Sequence, residues 1–159
     1  DPGFLPMLKR VLADTGLPAH ALQLEVTEHA SLTTFDESAE RLQKVSALGV
    51  RIAIDDFGTG NSSLSWLEKL RPDVLKIDKS FTSAIGIDSV NATVTDMIIA
   101  LAHRLKIVTV AEGVETRDQE EYLRGNGVDL LQGFYYARPM PVEDFPQWLA
   151  AEKRRELNA

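Results

Sequence analysis

An α/β fold built on a parallel sheet is predicted by three observations. Strand-like apolar runs alternate with helix-like segments through about five βα units. Right-handed crossovers between such units make successive strands parallel. Carboxylates gather at the carboxyl ends of the strand-like runs, where α/β enzymes place their sites. Two architectures fit this pattern: part of a (β/α)8 barrel, or an open doubly wound sheet. A full barrel typically needs about 250 residues. This chain has 159, so as a barrel it would be incomplete.

Phe4 to Thr15 reads as a helix, with Phe4, Leu5, Leu8, Val11 and Leu12 on one face and Gly16 as its stop. The strand-like run Leu22-Gln23-Leu24-Glu25-Val26-Thr27-Glu28 ends in acids. Thr34 with Glu37 forms a capping box for a helix to about Leu48, terminated by Gly49. The apolar run Arg51-Ile52-Ala53-Ile54 is expected to open into a glycine-rich loop at Asp55-Asp56-Phe57-Gly58-Thr59-Gly60. A short helix is predicted from Ser63 to Leu70, ended by Pro72.

Val74-Leu75-Lys76-Ile77-Asp78 places a lysine and an acid two apart, on one face of a strand. Val90, Val94, Met97, Ile98, Leu101, Ala102 and Leu105 form a helical stripe. Val108-Thr109-Val110-Ala111-Glu112-Gly113-Val114-Glu115 is a fourth strand-like run ending in acids. Thr116 with Gln119 is a second capping box, and Gly125 closes its helix. Leu130-Leu131-Gln132-Gly133-Phe134 carries an amide where the other runs carry acids. A last helix follows Pro141, covers Phe145 to Leu149 and frays after Glu152.

The acids decide the functional reading. Adjacent ionised carboxylates such as Asp55 and Asp56 repel each other and are costly to bury without partners. An ion-paired core, with Lys76 neutralising one acid, is one solution; a solvated turn capping the next helix is another. A pair of divalent cations is a third, since one carboxylate can bridge two ions in phosphodiester hydrolysis. His20, His29 and His103 match no zinc spacing. Asp-Phe-Gly at Asp56-Phe57-Gly58 lacks the glycine-rich and catalytic loops that accompany it in protein kinases. Phe134, Tyr135 and Tyr136 could stack on a base, but core packing explains them as well.

Composition sets the outer limits. The chain is 44% hydrophobic and 26% charged, enough for a core in a single domain. A net charge of −7 argues against binding long nucleic acid, while leaving room for a small anionic ligand if metals supply positive charge. With no cysteine, disulfides and thiolate metal sites are excluded. There is no signal peptide or apolar stretch long enough to span a bilayer. This segment is expected to make no membrane contact and to be cytoplasmic, or the cytoplasmic part of a membrane-anchored parent. Because the chain begins Asp1-Pro2-Gly3 rather than with methionine, a piece of something longer is expected.

Glu25-Val26-Thr27-Glu28, Asp55-Asp56-Phe57-Gly58-Thr59-Gly60, Lys76-Ile77-Asp78, Ala111-Glu112-Gly113-Val114-Glu115 and Gln132-Gly133 stand in an order that resembles EAL domains. These are bacterial phosphodiesterases that hydrolyse cyclic di-GMP. The resemblance covers nearly the whole chain and implies residues 1–159 as a partial EAL domain, a TIM-like barrel lacking its first strands, with no second domain. It implies Glu25 as a ligand of one metal, Asp55 as the bridge, and Asp56 and Glu112 as ligands of the second. Lys76 would orient the attacking water, and Gln132 would hydrogen-bond near the water or phosphate. Glu28 would anchor the loop from Phe57 to Ser63; Asp78 and Glu115 would be supporting or structural.

The oxygen ligands suit Mg²⁺ or Mn²⁺. The family's Glu-Ala-Leu strand and its metal-binding asparagine are not in this sequence. The implied activity is hydrolysis of cyclic di-GMP to linear pGpG in the parent. The alternative is an inactive module that binds the nucleotide or a protein partner. Upstream sensory or GGDEF domains and a role in bacterial signalling and biofilm control also follow from the resemblance. A homodimer is expected too, since open sheet edges and an apolar interior invite pairing.

Overall fold

The computed structural model describes residues 3–27, 35–59, 64–87 and 89–156. Five strands form one sheet: β1 (Gln23–Thr27), β2 (Arg51–Phe57), β3 (Val74–Ile77), β4 (Val108–Ala111) and β5 (Leu130–Leu131). All neighbours are parallel and the spatial order is β1-β2-β3-β4-β5. A doubly wound sheet reverses its strand order at a switch point. This order never reverses, so of the two expected architectures the barrel-type progression is the one formed.

Helices connect the strands: α1 (Phe4–Thr15), α2 (Phe35–Ser46), α3 (Leu64–Leu70), α4 (Lys79–Ser83), α5 (Ser89–Leu105), α6 (Arg117–Gly125) and α7 (Phe145–Glu156). Gly16 ends α1 in the left-handed conformation, with its N–H bonded to Leu12 O. The Thr116–Gln119 capping box is complete: the Thr116 side chain accepts from Gln119 N, and Gln119 Oε1 accepts from Thr116 N. The box expected at Thr34 lies outside the described residues. The short helix α4 had no periodic signal, being a single capped turn after Asp78.

Alternation along each strand separates two faces. Ile52 and Ile54 of β2, Leu75 and Ile77 of β3, and Ala111 of β4 point into the main core, where they pack with Leu67, Leu70, Phe81, Ile98, Ile99, Ala102 and Leu123. The other face lines a cavity of about 480 Å³ bordered by Glu25, Arg51, Val74, Lys76, Val110 and Gln132, among others. β3, in the middle, is buried throughout, whereas β1 and β5 at the edges are half-buried or exposed. The expected α5 stripe is wider than the face it buries. Ile98 and Ala102 join the core, but Val90 and Met97 remain 68% and 67% exposed.

Candidate metal centre

The acid pair sits inside β2 rather than in a loop after it. The strand continues through Asp55, Asp56 and Phe57, because the ladder to β3 absorbs one extra residue. Ile54 pairs with Leu75 and Phe57 with Ile77, so Asp55 and Asp56 together lie opposite Lys76. Such a bulge re-aims side chains that would otherwise point to opposite faces. Asp56 takes a left-handed backbone, φ 54°, a region that aspartate tolerates better than most residues. Thr59 fastens the turn, donating from N and Oγ1 to Asp56 O at 3.2 and 2.8 Å. As a result, one carboxylate oxygen each from Asp55, Asp56 and Glu112 lies within 4.8 Å of the others.

Glu112 is held on both sides. Its N–H donates to Ile77 O at 3.0 Å, one step beyond the end of β4. The next residue, Gly113, has φ 69°, and a Cβ there would approach Lys79 Cβ to 2.5 Å. Gln132 is zipped into the backbone beside it, donating from N to Ala111 O at 2.8 Å and accepting from Val114 N at 3.1 Å. Gly133 permits this approach: any Cβ would sit 2.0 Å from Val114 O. The Gln132 side chain lines the cavity with Glu25 and Lys76 but stays exposed.

Lys76 occupies the centre. Its side chain is 8% exposed, and Nζ donates to Glu25 Oε2 at 2.8 Å, Asp55 Oδ1 at 2.9 Å and Glu112 Oε1 at 2.8 Å. Burial works to lower its pKa, but the hydrogen bonds it donates to Glu112, Glu25 and Asp55 outweigh burial and raise the ammonium well above the ordinary lysine value. Asp55 Oδ1 also accepts from Asp56 N at 3.1 Å. Four acids and one lysine leave the centre net negative. The all-oxygen donor set is the chemistry preferred by hard divalent cations, so the residues present fit such an ion.

The remaining expected residues lie outside this cluster. Asp78 caps α4, accepting from Ser80 N at 2.9 Å. Burial opposes its ionisation, yet the Ser80 bonds and nearby Lys79 keep its pKa below the usual carboxylate range. Glu115 has an exposed side chain, and its N–H donates to Gln119 Oε1. Glu28 and His29 lie outside the described residues. His103 bonds Gly127 O at 2.8 Å through its ring. Tyr136 lines the cavity and donates to Glu120 at 3.2 Å, while Phe134 lies under the Arg138 guanidinium, 4.8 Å from ring centre to Cζ.

Two aspartates that the sequence reading passed over organise the opposite end of the sheet. Asp73, just before β3, accepts from Ile52 N at 2.8 Å. Asp129, just before β5, accepts from both Thr109 N and Thr109 Oγ1 at 2.8 Å. The signal was the repeated placement of Asp ahead of Val74-Leu75 and Leu130-Leu131.

The EAL domain matches residues 1–139 of the chain. The chain belongs to the EAL domain family. It is 60% identical over 136 residues to the probable cyclic di-GMP phosphodiesterase PdeD of Escherichia coli, covering 86% of this chain and 25% of PdeD. The structure of the PaMucR phosphodiesterase in complex with c-di-GMP superposes with a TM-score of 0.85 at 43% identity, over 90% of this chain and 58% of that one. The Klebsiella pneumoniae BlrP1 manganese/cy-diGMP complex gives 0.81 at 34% identity, over 87% of this chain and 36% of that one. The five-stranded sheet is thus part of an EAL-type TIM-like barrel, and the chain spans a quarter of PdeD. Among the described residues, no helix is long and apolar enough to cross a membrane.

Proposed function

We propose that this EAL chain supplies most of the catalytic centre of a metal-dependent phosphodiesterase that opens cyclic di-GMP to linear pGpG. The observation that carries this reading is the convergence of Asp55, Asp56 and Glu112 beside the triply paired Lys76. Glu25 and Asp55 would hold one Mg²⁺ or Mn²⁺, and Asp55, Asp56 and Glu112 a second. When bound, such a pair supplies Lewis acidity at the attacking and leaving oxygens. Lys76 holds a proton beside the acids and orients a water by donating to it. Gln132, whose backbone is bonded to Ala111 and Val114 beside Glu112, would hydrogen-bond near the water or the phosphate.

The proposed setting is cytoplasmic bacterial signalling, with sensory or GGDEF domains in the same protein and biofilm control as an output. Glu28 would anchor the loop beyond β2, and Asp78 and Glu115 would give structural support. A second reading, a module that binds the nucleotide or a protein partner without turnover, is favoured by one observation: Lys76 already pairs with Glu25, Asp55 and Glu112. The two are separated by incubating the full-length protein with cyclic di-GMP and Mn²⁺ and following pGpG by chromatography. Turnover abolished by Asp55→Asn supports the enzyme. Binding without turnover supports the module.

A further inference from the structure

Lys76 partly offsets the negative charge of the centre before any metal arrives. A lysine ammonium has three N–H donors, and here each goes to a different carboxylate: Glu25, Asp55 and Glu112. Asp55 and Glu112 also belong to the triad that converges with Asp56. The ammonium and a divalent cation therefore draw on the same acids. The Lys76 backbone is fixed in β3, whose four residues are all buried, so only the side chain can yield.

Building on the metal-dependent reading above, we propose that Lys76 is the resident cation of the metal-free site, and that divalent ions enter by exchange with it. As the ions arrive, the ammonium gives up its bonds to Glu25, Asp55 and Glu112. Two consequences follow from the geometry. Without metal, the lysine offsets repulsion among acids that would otherwise spread apart. It also raises the ion concentration needed for filling, because each incoming ion replaces charge-assisted bonds already made. Once displaced, Nζ has donors to spare for a ligand beside Asp55 and Glu112. Ion binding and the lysine's readiness to meet substrate are then one event.

The test is calorimetric titration of the nucleotide-free, full-length protein with Mn²⁺, wild type against Lys76→Met. The variant is expected to bind Mn²⁺ about tenfold tighter or more, roughly the worth of one charge-assisted hydrogen bond. Its metal-free form is expected to melt at a lower temperature than wild type. Equal or weaker affinity in the folded variant overturns the exchange and leaves the metal site standing. No Mn²⁺ binding by wild type overturns both. If the variant does not fold, wild-type protein with ¹⁵N-labelled lysine decides. The Lys76 ammonium resonance, protected from water exchange by its bonds, is expected to shift or vanish as Mg²⁺ saturates the site. A resonance unchanged at saturation overturns the exchange.

Discussion

Asp55 and Asp56 are adjacent in the chain, yet each contributes an oxygen to the same ion-sized space, because both lie opposite Lys76 across a bulge in the β2–β3 ladder. The left-handed backbone of Asp56 is what makes this possible. A regular strand would turn the second carboxylate toward the helices, where Ile54 and Phe57 pack.

That backbone gives the first prediction. Asp56→Val places a β-branched residue where φ is 54°, and is expected to destabilise by about 1–3 kcal/mol. Asp56→Gly relieves the backbone while removing the carboxylate. It is expected to melt at or near the wild-type temperature but to lose most of the thermal shift given by Mn²⁺. Thermal denaturation of both variants, with and without Mn²⁺, checks the pair. Equal melting of Val and Gly variants would contradict the strained bulge.

Gly133 tests whether close backbone approach positions Gln132. Gly133→Ala puts a Cβ 2.0 Å from Val114 O, and backbone must move; a loss of about 1–3 kcal/mol is expected. Gly125→Ala is the control, since it is helical and a Cβ there meets nothing within 4 Å. It is expected to be neutral or to stabilise by up to about 1 kcal/mol. Chemical denaturation of the two variants measures both.

Asp129 gives a pH dependence. The Thr109 backbone bond, partly opposed by burial, holds its pKa below the ordinary carboxylate value of 3.8. A lowered folded-state pKa contributes stability above the unfolded pKa and loses it as pH falls through the folded one. The gap in melting temperature between wild type and Asp129→Asn is therefore expected to be constant near neutrality and to shrink below about pH 4. Asparagine keeps an acceptor oxygen for the Thr109 N–H and hydroxyl but not the charge, and the weakened bonds are expected to cost about 1 kcal/mol near neutrality. A gap that widens in acid would contradict this role.

The open sheet predicts self-association. β1 and β5 are the edges of the sheet, and the cavity face leaves Leu130 55% exposed. Sedimentation of this chain alone is expected to show concentration-dependent dimers or larger species. A monomer with a sharp cooperative melt would contradict it.

What the sequence disclosed follows from the range of the forces involved. Helix boundaries near Gly16, Thr116 and Leu105 were legible because caps and periodicity act within a few residues. The parallel order was legible from alternation of elements. The bulge was not, because nothing local distinguishes Asp55-Asp56 in a loop from the same pair in a kinked strand; the pairing of Phe57 with Ile77 decides it. The triple engagement of Lys76 was equally out of reach, since it joins residues 51, 21 and 36 positions away; an ion-paired core with Lys76 neutralising one acid was only one of three open solutions. Asp78 appeared to share a strand face with Lys76, but β3 ends at Ile77 and Asp78 turns to cap α4.

The most direct measurement is an anomalous-scattering crystal structure of the Mn²⁺-soaked protein. A manganese peak is expected, bound by oxygens of Asp55, Asp56 and Glu112 at about 2.0–2.3 Å, with Lys76 withdrawn from at least one of its carboxylates. Manganese bound elsewhere, or no peak with Lys76 still paired to Glu25, Asp55 and Glu112, would contradict it.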